Sequence, residues 1–307
     1  MHKLACPKCH QTLQLEEKTY KCNQNHCYDI AKNQYINLLL NPDKSCNNPG
    51  DNKESLLCRK NYLNQGYYDV ILNEVVSYIR HHYQPNMHIL DLGCGEGYYT
   101  YRMKQELGDD CTFYGLDISK DGIQMATKYT KDIYWIVGNS KNLPIQDHSL
   151  DVITALFTVV NESEIKRCLK ENGYMIHVTA NNKHLVEFKE LIYDEVKIKS
   201  DEHIRLPFET IKSYDFTKKI HLKNREDTLN LLKMTPHFYH IKKERRYVLD
   251  TLGEFEKLNP HLPKNRALHT FLLDENNNVI LVGNPLRNKK IEEMFYQIVE
   301  EKLGKPE

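Results

Sequence analysis

This sequence predicts an α/β fold, an open and mostly parallel sheet covered by helices on both faces, with a small cysteine-rich module ahead of it. Three observations carry that expectation. From Pro85 onward, strand-like and helix-like segments alternate with short links, the pattern of a parallel sheet wound with helices. A glycine-rich turn joins the first of those strands to the first of those helices. Residues 1–40 hold four of the nine cysteines and few apolar side chains, too few to bury a core without a staple.

In order along the chain, Asn41 to Asn52 is polar and contains Pro42, Pro49 and Gly50, the composition of a linker. Glu54 to Tyr83 carries Leu57, Tyr62, Leu63, Val70, Ile71, Val75 and Ile79 at helical spacing. Strands are then expected at His88–Leu92, Thr112–Leu116, Ile133–Val137, Asp151–Val160 and Tyr174–Thr179. Helices are expected at Tyr98–Leu107, Lys120–Tyr129 and Ser163–Leu169, with an amphipathic one running through Leu185, Phe188, Leu191, Ile192 and Val196. Asp274 to Asn278, between apolar runs, reads as a hairpin turn, and Arg287 to Leu303 as a charged terminal helix. The expected domains are 1–40, a linker and helical segment at 41–84, the main α/β domain at 85–285 and a helical tail at 286–307.

Composition narrows the class. With 42 basic and 42 acidic side chains and a hydrophobic fraction of 40%, the chain can build a core. No apolar run approaches the roughly 18 residues of a spanning helix, so no membrane partner is expected. Met1 to Pro7 offers no secretory h-region, which points to a cytoplasmic protein. An odd cysteine count without an export signal argues for metal or free thiols rather than disulfides.

Cys6-x2-Cys9 and Cys22-x3-His26 have Cys3His spacing, two thiolates on one tight turn and a second pair to close a tetrahedron around zinc. A redox CxxC would need a βα context that is absent here. Cys27 could stand in for His26 as the fourth ligand, while His10 is only a neighbour. Cys46, Cys58, Cys94, Cys111 and Cys168 are scattered singly and read as ordinary thiols.

Ile89-Leu-Asp-Leu-Gly-Cys-Gly-Glu-Gly97 has the pattern GxGxG, not the GxGxxG of dinucleotide binders. Gly93, Gly95 and Gly97 let the backbone turn sharply and approach a ligand, and the following helix offers free N–H groups to an anion. Twenty residues past Gly97, Asp117 ends the next strand, where a carboxylate can accept both hydroxyls of a ribose.

This constellation resembles the class I S-adenosylmethionine-dependent methyltransferases, whose Rossmann-like sheet carries helices on both faces. The resemblance implies that Asp91 faces the methionine ammonium, the glycine turn the amino-acid and ribose portions, and Asp117 the ribose. Asn139 and Ser140, within Gly138–Pro144, would line the adenine. With the zinc ribbon in front, the chain is similar over roughly residues 1–240 to the bacterial 23S rRNA guanine-N1 methyltransferases of the RlmA type. The shared words are Cys6-Pro-x-Cys9, Tyr28-Asp29-x-Ala31-Lys32, Tyr35-x-Asn37-Leu38-Leu39, Pro49-Gly50-Asp51, Gly66-x-Tyr68, Leu90 to Thr100, Gly115-Leu-Asp-x-Ser119, His184-Leu185 and Met234-Thr235-Pro236. By that resemblance Tyr68, Gly95, Glu96, Gly97 and His184 touch the cofactor. The ribbon would help to hold the substrate, a hairpin (helix 35) in domain II of 23S rRNA, and the protein would form a homodimer.

One segment departs. Where the family has an aromatic, a small residue and proline, this chain reads Phe157-Thr158-Val159-Val160-Asn161, at the border of the expected target base. Guanine N1 carries a proton at neutral pH, so a base must remove it; no residue is assigned, and Glu162 and Glu164 read as first-turn acids of a helix. The altered segment permits methylation of another RNA or of a small molecule, and a non-catalytic RNA-binding protein on the same scaffold is a third reading. Neutral net charge does not argue against RNA. Residues 1–60 carry 9 basic and 6 acidic groups (+3), 61–180 carry 10 and 15 (−5), and Lys212–Arg246 carry 10 and 4 (+6).

Overall fold

The computed structural model describes residues 2–40, 50–181, 183–193, 196, 209–213, 215–241, 271–273, 279–282 and 293. The chain divides into two compact units, 1–250 and 251–307. Chain order in the first is β1 (Gln14–Glu16), β2 (Thr19–Lys21), β3 (Cys27–Asp29), β4 (Tyr35–Asn37), α1 (Lys53–Leu63), α2 (Asp69–His81), β5 (His88–Leu92), α3 (Tyr98–Leu107), β6 (Thr112–Asp117) and α4 (Lys120–Ala126). It continues with β7 (Tyr134–Val137), β8 (Leu150–Leu156), α5 (Glu162–Cys168), β9 (Leu169–Val178), α6 (Val186–Ile192), α7 (Arg225–Lys233) and α8 (Pro236–Tyr239). In the second unit β10 (Phe271–Leu273) pairs antiparallel with β11 (Val279–Val282). The turn expected between them, the tail helix apart from Glu293, and most of the Asn41–Asn52 linker lie outside the described residues. Among the described residues no helix is long and apolar enough to cross a membrane.

The six-stranded sheet has order β4-β7-β6-β5-β8-β9, with every pairing parallel. The chain leaves β5 toward β6 and β7, then returns to place β8 on the other side of β5. That reversal puts a topological switch point at the carboxyl end of β5, where open α/β sheets bind ligands. Alternate residues of the strands feed two cores. Leu90, Leu92, Leu116 and Ile153 pack on one face with Ile165, while Ile89, Phe113, Val137 and Val152 pack on the other with Val75, Ile79 and Met103 of α2 and α3. Each such side chain, fully buried, contributes about 1.5–3 kcal/mol.

Three local features differ from the pattern in the sequence. The helical stretch 54–83 is two helices, because the chain turns through Gly66 at φ 77°, and Asn52 caps the first by accepting from the Ser55 N–H at 2.9 Å. The β-branched run after Leu156 does not continue β8. Phe157 takes φ 59° and turns the chain, leaving Val159 84% exposed. Third, Tyr35–Asn37 does not stay with the cysteine-rich module: it forms the edge strand β4, pairing with Trp135–Val137. The expected boundary at residue 40 therefore cuts through the sheet. The module itself is the small antiparallel sheet β1-β2-β3, and its Leu4, Leu13 and Tyr20 share one core with Ile136, Leu143 and Ile145.

Candidate functional site

The module brings Cys6, Cys9, Cys22 and His26 together, with one ligand atom from each lying within 4.8 Å of the others. His26 Nδ1 is 3.4 Å from both Cys6 Sγ and Cys22 Sγ, and Cys9 Sγ is 3.6 Å from Cys22 Sγ. Zn–S bonds of about 2.3 Å and Zn–N bonds of about 2.0 Å at tetrahedral angles imply ligand separations of this size. The donor set and its spacing thus fit zinc. Cys27 is exposed, turned toward the Asn25 carbonyl, so the open choice of fourth ligand falls to His26. Tyr28 Oη lies 3.2 Å from Cys6 Sγ and orients that thiolate from behind.

This metal turn is built into the edge of the second site. The Ala5 N–H donates to the Pro144 carbonyl at 2.9 Å, the Gln146 N–H to the Lys3 carbonyl at 2.9 Å, and Asn142 Nδ2 to the Pro7 carbonyl at 2.9 Å. The loop after β7, expected at the adenine, is therefore tied to the ribbon. On its far side Glu164 accepts the Leu143 N–H at 2.6 Å, and Arg167 donates to Glu164 and to the Leu143 and Ile145 carbonyls. Glu164 is held below the usual carboxylate range by that arginine and that N–H despite its burial, so it anchors the loop. Asn161 caps α5 by accepting the Glu164 N–H.

At the carboxyl end of β5 the glycine turn is drawn against β6. Gly93 and Cys94 donate to the Leu116 carbonyl at 2.8 and 3.0 Å, and the Gly95 N–H donates to Asp117 Oδ2 at 2.8 Å. Asp117 Oδ1 accepts the Ser119 N–H at 2.7 Å, so this half-buried carboxylate sits between the turn and α4. Gly97 has φ 90°, and a Cβ there would lie 2.6 Å from Ala126 Cβ and 2.9 Å from Trp135, so no other residue fits. Asn139 and Ser140 are half-buried on the next loop, whose Gly138 N–H bonds the Asp117 carbonyl at 3.0 Å.

Two acids at the turn behave differently. Asp91 is 2% exposed, and its two oxygens accept hydroxyls of Thr100 (2.5 Å) and Thr154 (2.8 Å). Burial pushes its carboxyl up to about 6. It holds the strand and helix together from beneath the turn. Glu96 is 1% exposed; its Oε2 accepts the Tyr98 N–H at 3.3 Å, while its Oε1 has no hydrogen-bond partner. Burial raises it to about 7, against the pull of Arg59.

Tyr68 and His184, 116 residues apart, meet with Tyr68 Oη 3.0 Å from His184 Nε2. Burial favours the neutral imidazole and raises the phenol to about 12. Phe157 joins them. Phe157, from the divergent segment, and Arg59, which no motif singled out, line the same site. Arg59 Nη2 pairs with Asp51 at 2.5 Å, and its Nη1 would be 3.2 Å from a Cβ on Gly95. The signal for Arg59 was its place eight residues after Asp51 of Pro-Gly-Asp, on the helix that follows, ahead of the buried Tyr62 and Leu63. A parallel switch-point sheet with a GxGxG turn and an acid on the second strand defines a class I methyltransferase.

The comparisons agree. Residues 4–45 match the N-terminal zinc ribbon family of RlmA, and residues 83–231 match a methyltransferase domain family. Together the two matches set an RlmA-type zinc ribbon ahead of a methyltransferase domain in one chain. It is 29% identical over 202 residues to a Bacillus subtilis (strain 168) protein provisionally named 23S rRNA (guanine-N(1)-)-methyltransferase YxjB, covering 62% of this chain and 68% of that one. To the 23S rRNA (guanine(748)-N(1))-methyltransferase of Streptomyces fradiae it is 27% identical over 188 residues, 60% of this chain and 65% of that one. The chain thus spans about two thirds of each relative's length. A solved Methanococcus maripaludis protein, provisionally named an S-adenosylmethionine-dependent methyltransferase, aligns at TM-score 0.37 and 19% identity, over 48% of this chain and 75% of that one. The donor set described above fits zinc, and the turn with its buried, unpartnered Glu96 oxygen fits S-adenosylmethionine.

Proposed function

We propose that this protein methylates N1 of a guanine in 23S rRNA, in a hairpin (helix 35) of domain II, as a cytoplasmic enzyme that can act as a homodimer. The observation that carries the reading is the joining of the zinc turn, through Pro7, Ala5 and Lys3, to the loop at the cofactor pocket. Ribbon and methyltransferase sheet share one core, and the two relatives described above are named for this reaction. Bound S-adenosylmethionine supplies an electrophilic methyl group for in-line displacement, so the chain contributes mainly position. Cys6, Cys9, Cys22 and His26 hold zinc. Asp117 accepts the ribose hydroxyls, Gly93, Gly95 and Gly97 admit the ligand to the backbone, and Asn139 and Ser140 border the adenine. Tyr68 and His184 close the methyl end. Glu96, whose buried Oε1 has no hydrogen-bond partner, is a partner for the ammonium beside Asp91, and Arg59 is one for the carboxylate. N1 lies on the Watson–Crick edge, so the guanine must leave any pair before it reacts.

This assignment of Glu96 has a pH signature. In the free protein, burial favours the protonated acid, and the carboxylate forms as pH rises through about 7. An ammonium partner favours the carboxylate, so binding releases a proton and affinity should climb between about pH 6 and 8. Calorimetry in buffers of different ionisation enthalpy should show that release, and Glu96→Gln should lose this part of it and bind less tightly throughout. Equal proton release in wild type and variant would remove Glu96 from the ammonium. The reaction itself is tested with purified protein, labelled S-adenosylmethionine and 23S rRNA from a strain lacking the gene. Label in N1-methylguanosine is expected, and label confined to small molecules would overturn the proposal.

A further inference from the structure

The shared word Met234-Thr235-Pro236 has no part in the site described so far. It ends α7 and opens α8. The Thr235 hydroxyl and N–H both donate to the Leu232 carbonyl, at 2.8 and 3.0 Å, and Arg59 Nη2 donates to the Met234 carbonyl at 3.4 Å. Pro236 takes the first position of α8, where a helix needs no N–H. The turn so fixed brings His237 against the end of α6. Its Nδ1 lies 2.9 Å from Tyr193 Oη, and the two rings meet edge to face at 5.7 Å.

Tyr193 stands four residues after Lys189, its N–H donating to the Lys189 carbonyl at 2.9 Å, so the two side chains share one face of α6. Lys189, His184 and His237 are all half-buried. Among the described residues no carboxylate pairs with any of the three. Burial lowers the Lys189 ammonium, and its charge reaches both imidazoles. His184 is lowered by burial and then by Lys189 and His237, and His237 by burial and then by Lys189 and His240. Three cation-forming groups, from α6, α8 and the turn before α6, thus gather beside the Tyr68 hydroxyl that meets His184. A partly desolvated cation without a counter-charge is unfavourable, and an anionic ligand removes that penalty.

We propose that Lys189, with His237 and His184 beside it, holds one phosphodiester of the RNA substrate, next to the nucleotide that receives the methyl group. This rests on the RNA methyltransferase reading above. The ammonium meets a phosphate as a point charge, and the imidazoles add N–H donors. A neutral base would leave the ammonium unpaired, and the methionine carboxylate has its proposed partner in Arg59. Such a contact carries no sequence information, but it fixes where the neighbouring ribose and base stand relative to the methyl donor. It also joins the basic stretch Lys212–Arg246, to which His237 belongs, to the reaction site.

The test uses the full chain with S-adenosylhomocysteine and a 23S rRNA transcript containing hairpin 35, with affinity read across a series of salt concentrations. Lys189→Gln should flatten the plot of log affinity against log salt by about 0.7–0.9, the share of one phosphate, and weaken binding at low salt by about tenfold. Lys189→Arg should restore both. Circular dichroism and calorimetric S-adenosylmethionine affinity of Lys189→Gln should match wild type. Replacing the loop phosphates one at a time by neutral methylphosphonates should find a position that weakens wild type by about tenfold and leaves Lys189→Gln unaffected. An unchanged slope, or a series with no such position, would overturn the site. So would a cofactor affinity that falls in step with the RNA affinity, since Lys189 would then serve the methionine carboxylate. A flattened slope with no methyl transfer to 23S rRNA supports the site and removes only the rRNA reading. Methylated rRNA with an unchanged slope does the reverse.

Discussion

Cys22→Ser is expected to lose zinc and, through that loss, to weaken S-adenosylmethionine binding by about 5- to 150-fold, the usual size of coupling between two sites. The four ligand atoms converge in a module of three short strands, and structural zinc is worth about 10–16 kcal/mol in such modules. Without the metal, the turn carrying Pro7 has no fixed position. Its bonds to Asn142 and Pro144 then no longer hold the Asn139–Pro144 loop beside Asp117. The anchor formed by Glu164 and Arg167 remains, which is why the effect is a weakening rather than an abolition. Metal analysis with calorimetry checks both halves. Asn142→Ala, which removes one tie and leaves the metal site intact, should retain zinc and lose a smaller part of the affinity. Unaltered cofactor binding by a zinc-free variant would show that the two sites are independent.

The second large effect is expected at Asp117. Asp117→Ala removes the acceptor proposed for two ribose hydroxyls, and each charge-assisted bond is worth about 1.5–3 kcal/mol. Affinity for S-adenosylmethionine should therefore fall at least about a hundredfold. The same change strips the Gly95 and Ser119 N–H groups of their shared acceptor, at about 1–3 kcal/mol for each that stays buried and unpaired. Denaturant unfolding should show that loss. Asp117→Asn keeps one carbonyl acceptor and should recover part of the stability while binding the cofactor poorly. Alanine with full stability and full affinity would contradict the placement of Asp117 at the hinge of the pocket.

What the sequence disclosed and what it hid follow from the range of the interactions involved. The ends of β5 and α3 were legible to the residue, because an apolar run closed by glycines and a helix opened by one are local signals. The zinc set was equally legible, since metal spacing constrains a few neighbouring residues. Strand β4 was not legible. Tyr35-Ile36-Asn37 is too short to declare itself, and its partner Trp135–Val137 lies a hundred residues away. Val159 and Val160 looked like strand because β-branched residues favour extended backbone, but the turn at Phe157 is imposed by the bond to Val178 and by contact of Thr158 with Gly93. Asp91 shows the same limit in the site itself. Its place in the motif suggests a ligand contact, and that Thr100 and Thr154 also donate to its two oxygens is a tertiary feature that the motif does not carry. Arg59 needed α1 folded across the turn before its guanidinium could be seen above Gly95.

The central claim is tested most directly by mass mapping of 23S rRNA from the host, with and without this gene. The account predicts N1-methylguanosine in hairpin 35 of the parent, its absence from the deletion strain and its return with the wild-type gene but not with Asp117→Ala. An identical methylation pattern in that hairpin with and without the gene would contradict it.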